Sequence, residues 1–244
     1  MKKIPNNIKA ALIDLDGTVF DSMGIWEKID KMWLSKHNLP YSVEYSESLK
    51  SKSFAESADF TIRYFGLTDL STEKIMSEWN DMAKYEYSNT IKPKPLAAEY
   101  LHILKQSGIK LAVVTSLSEE LYKPLLKNNN LYELFDTFLS TVDTGIGKEK
   151  PHIYQSAADA LQTNPKDCIV FEDILQGIRC AKSINMRTVA VYDRFSQDAA
   201  DIMKKEADAY IMSFYEAPLP DMRNNALLTS EYFKGLEKAK TRLR

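Results

Sequence analysis

Two aspartates separated by a single residue, Asp14 and Asp16, close a short apolar run that begins at Lys9 (Lys-Ala-Ala-Leu-Ile-Asp14). In an extended segment such a pair projects to one side, so two carboxylates meet at the end of a strand. They repel each other. A hard divalent cation such as Mg²⁺ relieves that repulsion and still keeps room for water and a phosphate oxygen. Gly17 follows and permits a sharp turn in which backbone groups can approach an anion. Two other readings compete: an acidic turn at a strand end, and a calcium-binding loop. The calcium loop needs Gly at its sixth position and Glu at its twelfth. Val19 and Ile25 stand there, so that reading fails.

Three further segments carry polar groups at the end of apolar runs or ahead of helical ones: Leu111-Ala-Val-Val-Thr115-Ser116, Gly147-Lys-Glu-Lys-Pro-His-Ile-Tyr154 and Phe171-Glu-Asp-Ile-Leu-Gln-Gly-Ile178. Taken singly, the Lys148-Glu149-Lys150 run reads as a solvated charged face, and Glu172-Asp173 as a strand-end turn or helix cap. Taken together with Asp14-Leu-Asp-Gly-Thr18, in this order along residues 9–212, the four segments resemble the motifs of the haloacid dehalogenase superfamily in its phosphatase form.

That resemblance implies an Mg²⁺-dependent phosphoryl transfer. Asp14 would attack phosphorus and form an aspartyl-phosphate, and Asp16 would serve as general acid and then as base. Thr115, with backbone amides near Ser116, would hold phosphate oxygens, and Lys148 would neutralise charge on the transferring group. Counting back from Pro151-His-Ile-Tyr154 selects Lys148 over Lys150. The metal would be held by Asp14, the Asp16 backbone carbonyl and Asp173, with Glu172 beside it. The chain departs from the family pattern at Glu149, His152 and Ile174, where Pro, Asp and Ser are usual. His37, His102 and His152 lack the spacing of a transition-metal site and are taken as non-ligands.

The elements that must position these groups show in the patterning. Short apolar runs at 9–14, 110–115, 137–140, 167–171, 187–191 and 208–212 alternate with helical stretches near 95–107, 118–129, 152–162, 175–184 and 196–206. Such alternation predicts parallel strands with crossover helices. Pro95 suits a first helical turn, Gly108 a C-terminal cap, and Ser118 a helix start. Residues 22–90 break the alternation: Trp26, Ile29 and Trp33, then Phe60 and Tyr64, then Ile75, Trp79 and Met82 have helical spacing. The fold class is therefore α/β, a Rossmann-like doubly wound parallel sheet formed by residues 1–21 and 91–244, with an inserted all-helical cap at 22–90. Ile91–Pro95 reads as a stiff linker back to the sheet.

The insert resembles the helical cap of the subfamily containing β-phosphoglucomutase and sugar-phosphate phosphatases. The segment 49–57 looks like the mutase's specificity loop, with Lys50 matching its lysine, and Trp26, Lys50, Lys52 and Ser53 are candidate substrate contacts. Phe54 falls where the mutase carries a phosphate-binding Arg, and Trp26 where it has a His. Hydrolysis of a small phosphorylated metabolite, a sugar phosphate or nucleotide-related compound, is the reading preferred over a phosphosugar mutase. A catalytically silent binding module is the alternative from another class.

Composition bounds the partners. A net charge of −2 gives no field to draw the chain to nucleic acid or an anionic membrane, so a small ligand is expected. No apolar run reaches the roughly 20 residues of a membrane span. Cys168 and Cys180 have neither disulfide-framework numbers nor CxxC spacing and read as buried thiols. A cytoplasmic protein, monomeric or weakly dimeric, is expected. The segment from 216 onward ends in Lys238, Lys240, Arg242 and Arg244 and reads as a solvated basic helix.

Overall fold

Every residue of the strand Ala10–Ile13 (β1) is buried, as a strand covered on both faces requires. In the computed structural model, which describes residues 4–49, 52 and 54–220, β1 lies inside a six-stranded sheet. The other strands are Lys110–Thr115 (β2), Thr137–Ser140 (β3), Cys168–Glu172 (β4), Arg187–Val191 (β5) and Ala209–Ile211 (β6). Their order is β3-β2-β1-β4-β5-β6 and every pairing is parallel. Each of the six apolar runs forms a strand. Ile13 pairs with Val113 on one side and Phe171 on the other, so the chain direction reverses its progress across the sheet at β1. Ligands of open α/β sheets bind outside the C-terminal ends of the strands at such a reversal.

The chain divides into two compact units, residues 1–22 with 91–244, and residues 23–90. The second is helical: Ile25–Lys36 (α1), Val43–Leu49 (α2), Phe54–Phe65 (α3) and Thr72–Asn89 (α4), with no strand among its described residues. Its interior is aromatic. Trp33 is fully buried with its ring 6.0 Å from that of Trp79, and Trp33 Nε1 donates to Glu78 at 2.8 Å. His37 Nε2 lies 2.9 Å from the same carboxylate. On α3 the Thr61 hydroxyl is 2.8 Å from that of Tyr45 on α2.

In the sheet unit the helices are Ala97–Gln106 (α5), Glu119–Asn128 (α6), Thr141–Thr144 (α7), His152–Ala160 (α8), Leu175–Ser183 (α9) and Ala200–Glu206 (α10). Period-two alternation gives each strand two apolar faces. Ala10, Leu12, Ala112, Val114 and Val170 pack with Ile153 and Ala157 of α8 and Ala181 of α9. Phe171, on the opposite face, meets the Tyr100 ring of α5 edge-on and stacks with Phe214.

Two helix starts differ from expectation. Pro95 does not enter the first turn of α5, because Leu96 takes a left-handed conformation (φ 65°) and the helix begins at Ala97. The stretch predicted as one helix over 196–206 is a 3-10 segment, Arg194–Ala199, followed by α10. Asp193 caps the 3-10 segment, its Oδ1 accepting from Phe195 N at 2.9 Å. No described helix is long and apolar enough to cross a membrane. The basic segment predicted from about 216 onward lies, beyond Pro220, outside the described residues.

Candidate active site

β1 delivers Asp14 to the C-terminal edge of the sheet, where its amide continues the ladder by donating to Phe171 O at 3.1 Å. There the chain turns. Val19 and Phe20 amides return to the Leu15 carbonyl, and Gly17 adopts φ 73°, a left-handed conformation that an L side chain resists. Asp14 is 3% exposed and shares its surroundings with Glu172 and Asp173, contributed by the end of β4 next door. Ligand oxygens of these three lie within 4.8 Å of one another, the one such acidic group among the described residues. It contains no histidine.

Lys148 reaches this group from the turn before α8. Its Nζ donates to Asp14 Oδ1, and to Glu172 Oε2 at 3.0 Å. Burial by itself would lower the ammonium pKa; the charges of Asp14 and Glu172 outweigh that and raise it, so Lys148 stays cationic. Lys150, two residues on, is exposed. Burial, followed by the charge of Asp14, pushes Glu172 up to about 8 against the opposing pull of Lys148. Asp173 is raised well above the usual range, first by burial and then by the charges of Asp14 and Glu172. Fully ionised, three carboxylates against one ammonium would place an excess of negative charge in a buried site, and Glu172 and Asp173 are driven toward their protonated forms instead.

The same set fits a hard divalent cation. The donors are all oxygen, they converge, and Asp14 Oδ2 is buried without a hydrogen-bond partner. A cation would supply that oxygen with a partner and offset both the burial and the mutual repulsion that raise Glu172 and Asp173.

Asp16 is not among the three convergent carboxylates. The carboxylates that crowd Asp14 come from β4, whereas Asp16 is half-buried and accepts from Ser22 Oγ at 2.5 Å. Regular strand geometry ends at Ile13, so the alternation that would set Asp14 and Asp16 side by side no longer dictates where the second carboxylate points. Thr115, fully buried, ends β2 beside β1, and its Oγ1 accepts from Leu117 N at 3.1 Å. Ser116 is exposed. Trp26 sits on α1 in the helical unit, 38% exposed, with its ring edge-on to Phe54 at 5.4 Å. Lys50 and Ser53 lie outside the described residues, and Lys52 Nζ sits 4.8 Å above the Phe60 ring.

Several groups around the cluster had no assigned role in the sequence reading. Thr18 Oγ1 donates to Asp173 Oδ1 at 3.3 Å, Tyr154 Oη donates to Glu172 Oε2 at 3.4 Å, and Ser22 holds Asp16. Thr18 and Tyr154 do fall inside the quoted motifs, which is the signal that could have found them. Of the three departures from the family pattern, Glu149 and His152 are exposed, and Ile174 is the residue before α9, with no side-chain cap.

The family described as haloacid dehalogenase-like hydrolase matches residues 11–191. The chain is 29% identical over 205 residues to validoxylamine A 7'-phosphate phosphatase of Streptomyces hygroscopicus subsp. limoneus, covering 81% of this chain and 93% of that protein. It is 28% identical over 185 residues to hexitol phosphatase A of Escherichia coli K12, covering 75% and 82%. Among solved structures, CbbY of Rhodobacter sphaeroides in complex with phosphate superposes with a TM-score of 0.68 at 22% identity, covering 86% of this chain and 96% of that one. β-Phosphoglucomutase of Clostridium difficile superposes with a TM-score of 0.61 at 22% identity, covering 96% and 99%. The two structures share the fold, and the family match spans all four motifs from Asp14 to Asp173: the chain belongs to the haloacid dehalogenase-like hydrolases.

Proposed function

We propose that the protein is an Mg²⁺-dependent phosphatase that hydrolyses a small phosphorylated metabolite, a sugar phosphate or nucleotide-related compound, through an aspartyl-phosphate on Asp14. The observation that carries this reading is the buried carboxylate of Asp14, one oxygen held by Lys148 and the other unpartnered, at the switch point of a parallel sheet. Asp14, Glu172 and Asp173 side chains and the Asp16 carbonyl would hold the cation, which when bound supplies positive charge to the phosphoryl oxygens.

The chain's own groups account for the steps. The Asp14 carboxylate forms the bond to phosphorus as the bond to the leaving oxygen breaks, and Asp16 gives that oxygen its proton. Asp16, now anionic, takes a proton from water; the water oxygen bonds to phosphorus, the bond to Asp14 breaks, and orthophosphate leaves. Thr115 Oγ1 already accepts from Leu117 N, which leaves its hydroxyl proton for a phosphate oxygen alongside the Ser116 amide. Lys148 offsets charge on the transferring group.

The relatives named for validoxylamine A 7'-phosphate and hexitol phosphates support hydrolysis of a phosphorylated polyol or sugar. Phe54 favours hydrolysis over mutation of a phosphosugar: a mutase must grip a second phosphate, and this ring is instead packed on Trp26 and Trp79 at 5.4 and 5.6 Å. The buried free thiols Cys168 and Cys180 suit a reducing cytoplasm, and a monomer or weak homodimer completes the reading.

Release of p-nitrophenol from p-nitrophenyl phosphate with Mg²⁺ tests the function. The parent should turn over and Asp14→Asn should not; equal rates would remove the assignment. β-Glucose 1-phosphate with a bisphosphate primer should yield no glucose 6-phosphate. A screen of phosphorylated metabolites then identifies the substrate.

A further inference from the structure

Ile91–Pro95, which reads from sequence as a linker, is paired to the outgoing chain of the sheet unit. Lys94 N donates to Val19 O at 2.7 Å, Asp21 N donates to Lys92 O at 3.3 Å, and Phe20 and Pro93 form an antiparallel bridge. The Lys94 side chain turns inward from this ribbon and is only 16% exposed. Its Nζ donates to the Gly17 carbonyl, to the Tyr192 carbonyl at 2.8 Å and to Asp193 Oδ2 at 3.0 Å.

An ammonium has three protons and no lone pair, so these three acceptors use it completely. Lysine is normally a surface residue, and burying its charge is costly unless it is paired and hydrogen-bonded. Asp193, 4% exposed, is the pairing anion, and its second oxygen is spent on Phe195 N. Such full commitment of a lysine in a linker asks what it holds. Gly17 is the left-handed residue between Asp16 and Thr18, and Thr18 Oγ1 donates to Asp173. One head group therefore joins the turn that follows Asp14 to the exit of β5, two segments 175 residues apart (Tyr192 less Gly17).

We propose that Lys94 is a positioning residue: it pins the Gly17 carbonyl to the end of β5 and so fixes the Asp16–Thr18 turn from which the acid/base carboxylate and the Thr18–Asp173 hydrogen bond both depend. This rests on the phosphatase reading for the role of Asp16, though not for the pin itself. Removing the ammonium while keeping an apolar stem frees the turn without touching Asp14, Lys148, Glu172 or Asp173.

The test uses the full chain and three variants, Lys94→Met, Lys94→Arg and Asp193→Asn, with two independent readouts. Steady-state turnover of p-nitrophenyl phosphate with Mg²⁺ should show kcat falling about ten- to a hundredfold in Lys94→Met, as for a displaced catalytic group, with KM changed less than about threefold. Lys94→Arg should recover part of the loss. Lys94→Met combined with Asp193→Asn should be no slower than Lys94→Met alone, because the two act as one unit. Deuterium exchange should accelerate at the amides of residues 15–20 and stay parental in α3 and α8.

Parental kcat and parental exchange in Lys94→Met would overturn the proposal, as would protection lost evenly across the whole sheet, which marks a purely structural lysine. Should Lys94→Met fail to fold, Asp193→Asn read by the same two measurements decides. If the parent itself shows no turnover, the phosphatase reading fails, and the exchange arm still judges Lys94: acceleration confined to 15–20 supports the pin, and its absence overturns it.

Discussion

Gly177 faces Glu172 so closely that a methyl group at its Cα would lie 2.7 Å from Glu172 Cγ and 2.6 Å from Tyr154 Oη. Real side chains do not come that near, so the first turns of α9 can approach the acidic cluster only because this position has no side chain. Gly177→Ala should gain up to about 1 kcal/mol from helix propensity if nothing else changed. The opposite is expected, a loss of about 1–3 kcal/mol from overpacking. Activity should fall with it, since Glu172 and Tyr154 must move. Thermal melts and p-nitrophenyl phosphate turnover measured on the same preparation check both; a more stable, fully active variant would contradict the close approach.

Metal dependence can be read without turnover. Mg²⁺ that binds the folded chain alone raises its melting temperature, and saturation at a hundred times Kd is worth about 2.7 kcal/mol. The parent should show a dose-dependent rise that EDTA abolishes, along with its turnover. Asp173→Asn removes one of the three convergent carboxylates. Its melting temperature should no longer respond to millimolar Mg²⁺; an undiminished response places the cation elsewhere.

Asp16 can be separated from Asp14 by the leaving group. p-Nitrophenolate departs without a proton and a sugar alkoxide does not, so loss of a general acid is felt in the first step only for the sugar phosphate. Asp16→Asn should give a burst of p-nitrophenolate followed by slow turnover, because Asp14 is phosphorylated but water lacks its base. The same variant should show no burst with a sugar phosphate that the parent hydrolyses. Equal impairment with both leaving groups would remove Asp16 from the acid role.

The helical unit carries its own pH sensitivity. Burial would raise the Glu78 pKa, but hydrogen bonds from His37 and Trp33 and the charges of Lys36 and His37 prevail and hold it at about 2. A depressed folded-state pKa contributes stability above the unfolded value, about 4.3 for Glu, which is lost as pH falls toward 2. All three tryptophans, Trp26, Trp33 and Trp79, belong to this unit, so tryptophan fluorescence reports it selectively. The urea midpoint should drop between pH 5 and pH 3 in the parent and drop less in Glu78→Gln; parallel curves would dismiss the pair as the source.

Much of the sheet was legible because buried parallel strands leave continuous apolar runs, as in Ala10–Ile13 and Cys168–Glu172. The helix starts near Pro95 and Ser196 differ where local backbone conformation overrides periodicity: a left-handed Leu96, and a 3-10 segment that opens at the capping Asp193. Asp14, Lys148, Glu172 and Asp173 stand in motifs, and a residue count separated buried Lys148 from exposed Lys150. Ser22 and Lys94 gave no such warning. Ser22 meets Asp16 through a turn and Lys94 meets Asp193, 99 positions away, through the tertiary fold, and nothing local announces either pairing.

Asp21 N donating to Lys92 O at 3.3 Å brings together the two points where the helical unit leaves and rejoins the sheet unit. An insertion whose ends already touch imposes little on its host, whatever its length. The path of the sheet unit is thus closed by its own backbone pairing on either side of residues 23–90, so replacing that stretch by a short loop should leave the β1–β4 edge and its four charged groups in place.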